Sequence, residues 1–315
     1  MTISRRRVLQ ITAAALVTGG AVPEVREVWR GVALGAEAEI TLVADDRARA
    51  RAALAAARAE LARLEALFSL YEPSSALNRL NQHGVLSAPP PDVLALMAEA
   101  DAVYRASDGA FDPTIQPLWS LLARTRGRPN RQALAAVREL LGWQYVQADP
   151  GVVRLRRSGM ALTFNGIAQG FATDRIAELL AARGFRRLLV NVGEFRGLGL
   201  RPWRIGVAEP GGRLVETISL FDGAVATTSP GALTFRRDRP GEGPTGHVLD
   251  PRTALPAGAW QLVTVLAGTA ARADGLSTAI AAAPVSAAET ILRRGGARRA
   301  ILVDRFGAKR EWRQG

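Results

Sequence analysis

The order of strand-type and helix-type segments is the feature that most limits the fold of this chain. Residues 34–44 carry apolar side chains at every second position, which predicts a half-buried strand. Residues 47–68 repeat apolar side chains every three or four positions, which predicts an amphipathic helix. Strands and helices do not alternate strictly along the rest of the chain, so a doubly wound parallel sheet is disfavoured. The order predicts a mixed α+β fold.

The remaining segments continue this mixed pattern. Further helices are predicted at 91–105, 130–141, 166–183, 270–283 and 285–294. Short strands are predicted at 188–192, 203–208, 214–220, 261–267 and 300–304. Two more alternating runs, 152–156 and 160–164, flank Ser158-Gly159 and predict a β-hairpin.

The N-terminus has the features of an export signal. Arginines at 5–7 precede an apolar run at 11–17, which is too short to span a bilayer and is followed by small residues. The pattern resembles a twin-arginine signal and predicts a signal peptide at 1–21, a mature domain at 22–315 and a periplasmic location. A short N-terminal helix is the alternative. No later stretch is long and apolar enough to predict a transmembrane span.

Composition excludes several classes of protein. The 315 residues allow one large domain or two modest ones. The chain has no cysteine, which excludes disulfides, thiolate chemistry and a lipid-modified cysteine after the signal. The net charge of +12 comes almost entirely from scattered arginines, without a nucleic-acid recognition module. Nucleic-acid binding is therefore disfavoured, and anionic ligands such as phosphates are the candidate partners.

Asp274 and Thr278 form the first candidate site. They are four residues apart in a predicted helix, so both project from one helical face. A carboxylate and a hydroxyl are the hard oxygen donors that Mg²⁺ prefers, often beside substrate phosphates. A helix-capping or solvent-exposed aspartate is the alternative interpretation.

Residues 162–174 form the second candidate site, a predicted strand that passes into a helix through Gly166 and Gly170. Such a junction presents backbone amides to an anion, and its glycines let a ligand or metal approach the main chain. An ordinary tight turn gives the same pattern.

Two further segments contain candidate ligand contacts. His247 stands near Asp250 and Arg252 and can move a proton near neutral pH or donate a hydrogen bond to a ligand, although a structural role competes equally. The only other histidine, His83, lies in a polar turn and is predicted to be a surface residue. Phe111 lies in the turn 109–114 and can offer an aromatic wall to a ring system, but the same pattern fits a core residue.

Taken together and in this order, the segments resemble the FAD:protein FMN transferases, also called ApbE-like flavin transferases. The matching segments are 34–36, 68–71, 74–81, 109–114, 165–174, 191–194, 247–253 and 273–278. The family moves FMN from FAD to a threonine hydroxyl of a target protein and releases AMP, outside the inner membrane. The resemblance implies a T-fold-like α+β architecture of mainly antiparallel sheets with packed helices.

The resemblance also implies roles for individual residues. Mg²⁺ would be held by the main chain of Gly166 and by Asp274 and Thr278, with Asp274 and His247 as the catalytic residues. FAD would contact Leu34, Tyr71, Phe111, Asp112, Pro113, Thr163, Gln169 and Val248. The implied protein partner is an exported or membrane-attached acceptor that carries the threonine.

The chain departs from the family pattern at several of these positions. Thr163 stands where the family usually has aspartate, Gln169 where it has lysine or glutamate, and Ala254 where it has glycine. The Gly-Gly-Asp turn is Val-Gly-Glu at 192–194, and the Thr-Ser-Gly run is lengthened at 227–231. Three alternatives therefore stay open: an FAD pyrophosphatase giving FMN and AMP, a non-catalytic exported FAD-binding protein, and a binding protein for another anionic ligand.

Overall fold

The computed structural model of the protein describes residues 24–236 and 245–315. Within them the strands are β1 (Val25–Ala33), β2 (Ala36–Ala44), β3 (Val85–Ser87), β4 (Val146–Asp149), β5 (Val152–Leu155), β6 (Leu188–Val192), β7 (Phe195–Leu198), β8 (Trp203–Ala208), β9 (Leu214–Leu220), β10 (Gly223–Thr228), β11 (Thr234–Arg236), β12 (Thr245–Gly246), β13 (Leu249–Asp250), β14 (Leu255–Pro256), β15 (Trp260–Ala267), β16 (Arg299–Asp304) and β17 (Lys309–Arg313). The α-helices are α1 (Arg47–Phe68), α2 (Ala76–His83), α3 (Pro91–Ala106), α4 (Gln116–Thr125), α5 (Arg131–Arg138), α6 (Ala168–Ala182), α7 (Ala270–Ala282) and α8 (Ala288–Gly295).

A central antiparallel sheet organises the fold. Its strand order is β1-β2-β6-β7-β10-β15-β16-β17, and every neighbouring pair runs antiparallel. Alternate side chains of the strands point to opposite faces. Val190 and Val265 pack with the helices in the larger core, whereas Leu189 and Leu262 pack with the β8–β9 hairpin on the other face. The mixed, mainly antiparallel α+β fold is confirmed.

The start of the sheet differs from the prediction. The strand predicted at 34–44 begins at Ala36, because Leu34 and Gly35 form a two-residue turn back to β1. Both turn residues have positive φ, 49° and 78°, as a tight hairpin of this type requires. Leucine is not a typical residue for that conformation, so the turn and the strand before it were missed.

The predicted hairpin 152–156/160–164 is wrong. β5 does form, but its partners are β3 and β4. The run 160–164 forms no strand, and the side chain of Asn81 takes the place of a strand partner for Leu162. The amide of Leu162 donates to Asn81 Oδ1 at 2.7 Å, and Asn81 Nδ2 donates to the carbonyl of Leu162 at 2.9 Å.

The helix predictions agree more closely with the structure. Asp46 caps α1 and Asn130 caps α5 through their side chains. The helix predicted at 166–183 runs from Ala168 to Ala182, and the segment 285–294 divides into a 3₁₀ turn and α8. Within 24–236 and 245–315, no helix is long and apolar enough to cross a membrane. The predicted signal at 1–21 lies outside the described residues, so the signal and the domain boundary stay predictions.

Candidate active site

The candidate site lies where α6 and α7 cross beside the ends of β6 and β10. The two helices touch at Gly170, where a Cβ atom would come within 2.3 Å of the Ala270 carbonyl oxygen. Only glycine permits this approach. Asp174, one turn further along α6, accepts hydrogen bonds from the amides of Ala270 and Ala271, both at 2.8 Å. These contacts fix the start of α7 and the residues that follow it.

Asp274 points from α7 towards α6. Its Oδ2 accepts a hydrogen bond from the Gly170 amide at 3.1 Å, and the residue is only 3% exposed. Burial raises the pKa of Asp274 to about 7; the hydrogen bond from Gly170 opposes the shift, and the charge of Asp174 adds to it. A carboxylate in this position is stabilised by a cation beside it.

Thr278 lies one turn beyond Asp274 and faces Gly166. A Cβ atom on Gly166 would come within 2.8 Å of Thr278 Cγ2 and 2.9 Å of its Oγ1. The main chain at Gly166 therefore lies directly against the threonine hydroxyl. The structure brings together the three positions predicted as metal ligands, which come from two separate segments of the sequence.

Hydroxyl groups extend this arrangement to β10. Thr228 Oγ1 lies 2.7 Å from Ser277 Oγ and 3.4 Å from Thr278 Oγ1. Ser277 also donates to the carbonyl of Asp274 at 2.9 Å. Sequence reasoning gave Thr228 and Ser277 no role, although the Thr-Thr-Ser run at 227–229 was noticed as a departure from the family.

Glu194 is a second buried carboxylate at the site. It is 7% exposed in the turn between β6 and β7, and its Oε2 accepts from the Thr227 amide at 3.1 Å. Burial raises the pKa of Glu194 well above its ordinary value, and the nearby charge of Asp274 raises it further. Sequence reasoning noted this residue only as a departure from the family turn.

These residues suit a hard cation that keeps water or phosphate ligands. In the part of the chain that the structure describes, no group of three or more histidine, aspartate or glutamate side chains is arranged to hold a metal ion. The donors available are instead two buried carboxylates, a threonine hydroxyl and main-chain atoms. Mg²⁺ is commonly bound by one or two carboxylates, with substrate phosphates completing its shell.

Four of the residues predicted to contact the flavin form two pairs, and the members of each pair are joined by a hydrogen bond. Gln169 Nε2 donates to the Leu34 carbonyl at 3.3 Å, and a Cβ atom on Gly193, whose φ is 94°, would lie 2.8 Å from Gln169 Oε1. The amide of Thr163 donates to the Pro113 carbonyl at 2.9 Å. Gln169 thus contacts Gly193, the chain neighbour of Glu194, and Thr163 lies three residues before Gly166.

The other residues predicted to contact the flavin mainly contact neighbouring residues of the protein itself. Asp112 is buried, and its Oδ1 accepts from the amide and hydroxyl of Thr114 at 2.8 and 2.7 Å. Burial raises its pKa, and these hydrogen bonds oppose the shift. Phe111 and Val248 are buried in the main core, whereas Tyr71 is 74% exposed on the loop before α2. Their predicted contacts with FAD stay predictions.

His247 follows the short strand β12. Its Nδ1 lies 3.1 Å from the Leu233 carbonyl oxygen, and because a carbonyl only accepts, Nδ1 carries the hydrogen. Burial lowers the pKa of His247, and the carbonyls of Leu233 and Pro230 oppose the shift. The ring is therefore neutral at pH 7, with its lone pair on Nε2. Asp250 forms a two-point ion pair with Arg252, at 2.8 and 2.9 Å, rather than with the histidine.

Comparison with known proteins gives a consistent result. The sequence model of a family described as "ApbE family" matches residues 34–302. The FAD:protein FMN transferase of Klebsiella pneumoniae (strain 342) is 29% identical over 290 residues, covering 84% of this chain and 81% of the relative. The apo flavinyl transferase ApbE of Pseudomonas stutzeri is 28% identical with a TM-score of 0.80, over 91% of this chain and 95% of its own. The apbe protein of Thermotoga maritima is 27% identical with a TM-score of 0.80, over 91% and 96%.

Proposed function

The chain belongs to the ApbE family, and on that premise we propose that it is an FAD:protein FMN transferase. It takes FAD as substrate, moves the FMN portion to a threonine hydroxyl of an acceptor protein and releases AMP, with Mg²⁺ at the site. The relatives named as FAD:protein FMN transferases support the flavin-transfer chemistry. The magnesium and the threonine acceptor are the finer part of the proposal.

One observation carries this proposal: the crossing of α6 and α7 puts Asp274 on the Gly170 amide and Thr278 against Gly166. Asp274, Thr278 and the main chain at Gly166 would hold Mg²⁺, with Glu194 close to Asp274. When bound, the ion neutralises negative charge that develops on the pyrophosphate during transfer.

His247 is the residue we propose for proton transfer. Its neutral ring accepts the proton of the threonine hydroxyl at Nε2 while the threonine oxygen forms a bond to the phosphorus of FMN. The bond from that phosphorus to the bridging oxygen breaks, and its electron pair leaves with AMP. The hydrogen bond from Nδ1 to Leu233 keeps the ring in the tautomer that this step needs.

We also propose that the protein acts after export through the twin-arginine route. The arginines at 5–7 and the short apolar run at 11–17 support this location. An acceptor in the same compartment, exported or attached to the membrane, completes the proposal. Fractionation of cells that produce the full chain tests it, and a purely cytoplasmic product would contradict it.

The transfer reaction can be tested with the purified chain, FAD, Mg²⁺ and a threonine-containing flavin-acceptor domain. We expect AMP release together with a fluorescent acceptor band on a denaturing gel, and loss of both in Asp274→Asn. The matched control is Asp304→Asn, because Asp304 is also a buried aspartate but accepts from the amides of Phe306 and Ala308 in the turn before β17.

The outcomes separate the alternatives. AMP without a labelled acceptor would indicate an FAD pyrophosphatase, and bound FAD with neither product would indicate a flavin-binding protein. Failure to bind FAD at any Mg²⁺ concentration would overturn the proposal and favour another anionic ligand.

A further inference from the structure

One edge of the central sheet is β1, which pairs with β2 alone among the described strands. The two strands are joined by the two-residue turn Leu34-Gly35, so Ala33 and Ala36 form the hydrogen-bonded pair that closes the hairpin. Hydrogen-bonded and non-hydrogen-bonded pairs alternate along an antiparallel ladder. The amides and carbonyls of Val28, Arg30 and Val32 therefore point outward, away from β2.

The two edges of the sheet are protected very differently. β17, at the far edge, carries charged side chains at four of its five positions, which discourages another strand from pairing with it. The second half of β1 has one charge, Arg30, and its guanidinium is paired with Glu39 at 2.7 Å. Trp29 lies over Gly31, where a Cβ atom would come within 2.4 Å of the indole ring. Among the described residues, no strand pairs with the outward side of this edge.

A groove runs between this edge and helix α1. Its volume is about 460 Å³, and its lining includes Trp29 of β1, the alanines Ala55, Ala59 and Ala62 of α1, and the charged Arg58 and Glu65 of the same helix. Val32 also lines the groove and is 73% exposed. Alanines on the helix leave room for the side chains of an added strand beside β1.

The groove leads towards the candidate active site. β1 ends at Ala33, and the carbonyl of the next residue, Leu34, accepts a hydrogen bond from Gln169 at 3.3 Å. Gln169 lies against Gly193, the neighbour of the buried Glu194. The distance from Trp29 to Leu34 is about 17 Å at roughly 3.3 Å per residue, so about five residues of an extended chain span it.

We propose that this edge and groove bind the acceptor protein. An extended acceptor segment pairs with the outward groups of Val28, Arg30 and Val32 and puts small side chains on the alanines of α1. The segment then passes the turn at Leu34, where its hydroxyl enters the active site. The inference rests on the proposed function, because transfer to a protein requires a polypeptide to reach the site. Main-chain pairing gives affinity, and the groove selects side chains by size.

Filling the groove tests the proposal with the full chain, FAD, Mg²⁺ and the flavin-acceptor domain. Ala59→Arg puts a long charged side chain into the groove from an exposed helical position. We expect the KM for the acceptor to rise about tenfold or more, with FAD affinity unchanged within about twofold. The matched control is Ala98→Arg, an exposed alanine inside α3 that does not line the groove, and we expect it to behave as wild type.

A second variant tests strand pairing without filling the groove. Val32→Pro removes an outward amide from the edge while the hydrogen bonds to β2 are kept, since edge strands tolerate proline where the amide faces solvent. We expect the same rise in acceptor KM, together with unchanged binding of FAD by fluorescence titration.

The outcomes distinguish this inference from the proposed function. If wild type labels the acceptor and both variants keep its KM, the docking inference is wrong and the transferase function stands. If wild type binds FAD but labels no acceptor, the transferase proposal fails and the docking inference fails with it. If Ala59→Arg and Ala98→Arg weaken labelling equally, the effect is one of charge and the groove is not the docking surface.

Discussion

The candidate site has two unlike parts. In the cation part, Gly170, Asp274 and Thr278 lie on α6 and α7, which pack on the central sheet, while Gly166 and Glu194 lie in the turns before α6 and after β6. The proton part consists of His247 and the two-residue strands β12, β13 and β14 around it. The first depends on glycines that admit close contacts between helices. The second depends on a few main-chain hydrogen bonds, such as those from His247 to Leu233.

The difference indicates how the two parts contribute to catalysis. Two buried carboxylates near each other repel when both are charged. Without a cation, only the surrounding fold keeps them together, and a bound cation would reduce the repulsion. His247 experiences no such repulsion, because its hydrogen-bond partners are carbonyl oxygens. We therefore expect substitution of His247 to alter the rate with little change in stability, and changes in the cation part to alter both.

The largest effect is expected from His247→Asn. Loss of the proton acceptor should lower the rate of AMP release about 10³-fold, the usual range for a general base. Since burial holds the pKa of His247 below its ordinary 6.5, the wild-type rate should fall only as the pH drops below that value, where the ring gains a proton. His83→Asn is the control, because His83 is exposed at the end of α2. A wild-type rate and pH profile in His247→Asn would exclude the base role.

Gly170→Ala should have the next largest effect, because the new methyl group would lie 2.3 Å from the Ala270 carbonyl oxygen. The helices must separate, and we expect the free energy of unfolding in urea to fall by about 3 kcal/mol. FAD turnover should be lost along with it. Gly258→Ala, where the structure has open space, should change neither quantity. A fully stable Gly170→Ala would show that the α6–α7 crossing is not as tight as the structure indicates.

A change of pH, with no divalent cation added, should have a smaller effect on the free energy of unfolding. Asp274 and Glu194 have raised pKa values in the folded state, so the folded chain retains protons that the unfolded chain loses. Stability should therefore fall as the pH rises from 5 to 8. Glu194→Gln removes one of the two charges. Its free energy of unfolding should therefore fall by about 1 kcal/mol less than that of the wild type between pH 5 and 8.

Adding Mg²⁺ provides the second measurement of the same pair. At pH 8 the ion should raise the melting temperature of the wild type more than that of Glu194→Gln, because it relieves a larger repulsion. An equal rise in melting temperature in both proteins would mean that Glu194 does not interact with the bound cation.

The sequence predicted the cation part better than the rest of the site, for a physical reason. Asp274 and Thr278 share a helical face by their spacing alone, and Gly166 begins a recognisable junction. Glu194 and Thr228 join them only through the sheet, since β6 and β10 are separated by β7. Local periodicity does not reveal that order. β1 was missed for a similar reason, because its turn uses Leu34 in a conformation that usually signals glycine or asparagine.

The smallest effect is expected from Ala254→Gly, in the proton part. Ala254 has φ 58°, which suits the glycine that the family carries there, so glycine relieves about 1 kcal/mol of strain. The alanine methyl is also buried beside Leu118 and Leu249, and its removal costs about 0.8 kcal/mol. The two terms nearly cancel, so the free energy of unfolding should change by less than about 0.5 kcal/mol. Ala254→Val is the contrasting variant and should lose about 2 kcal/mol, since a β-branched side chain fits neither the backbone nor the space. A large gain in AMP release from Ala254→Gly would show instead that the departure from the family glycine limits the position of His247.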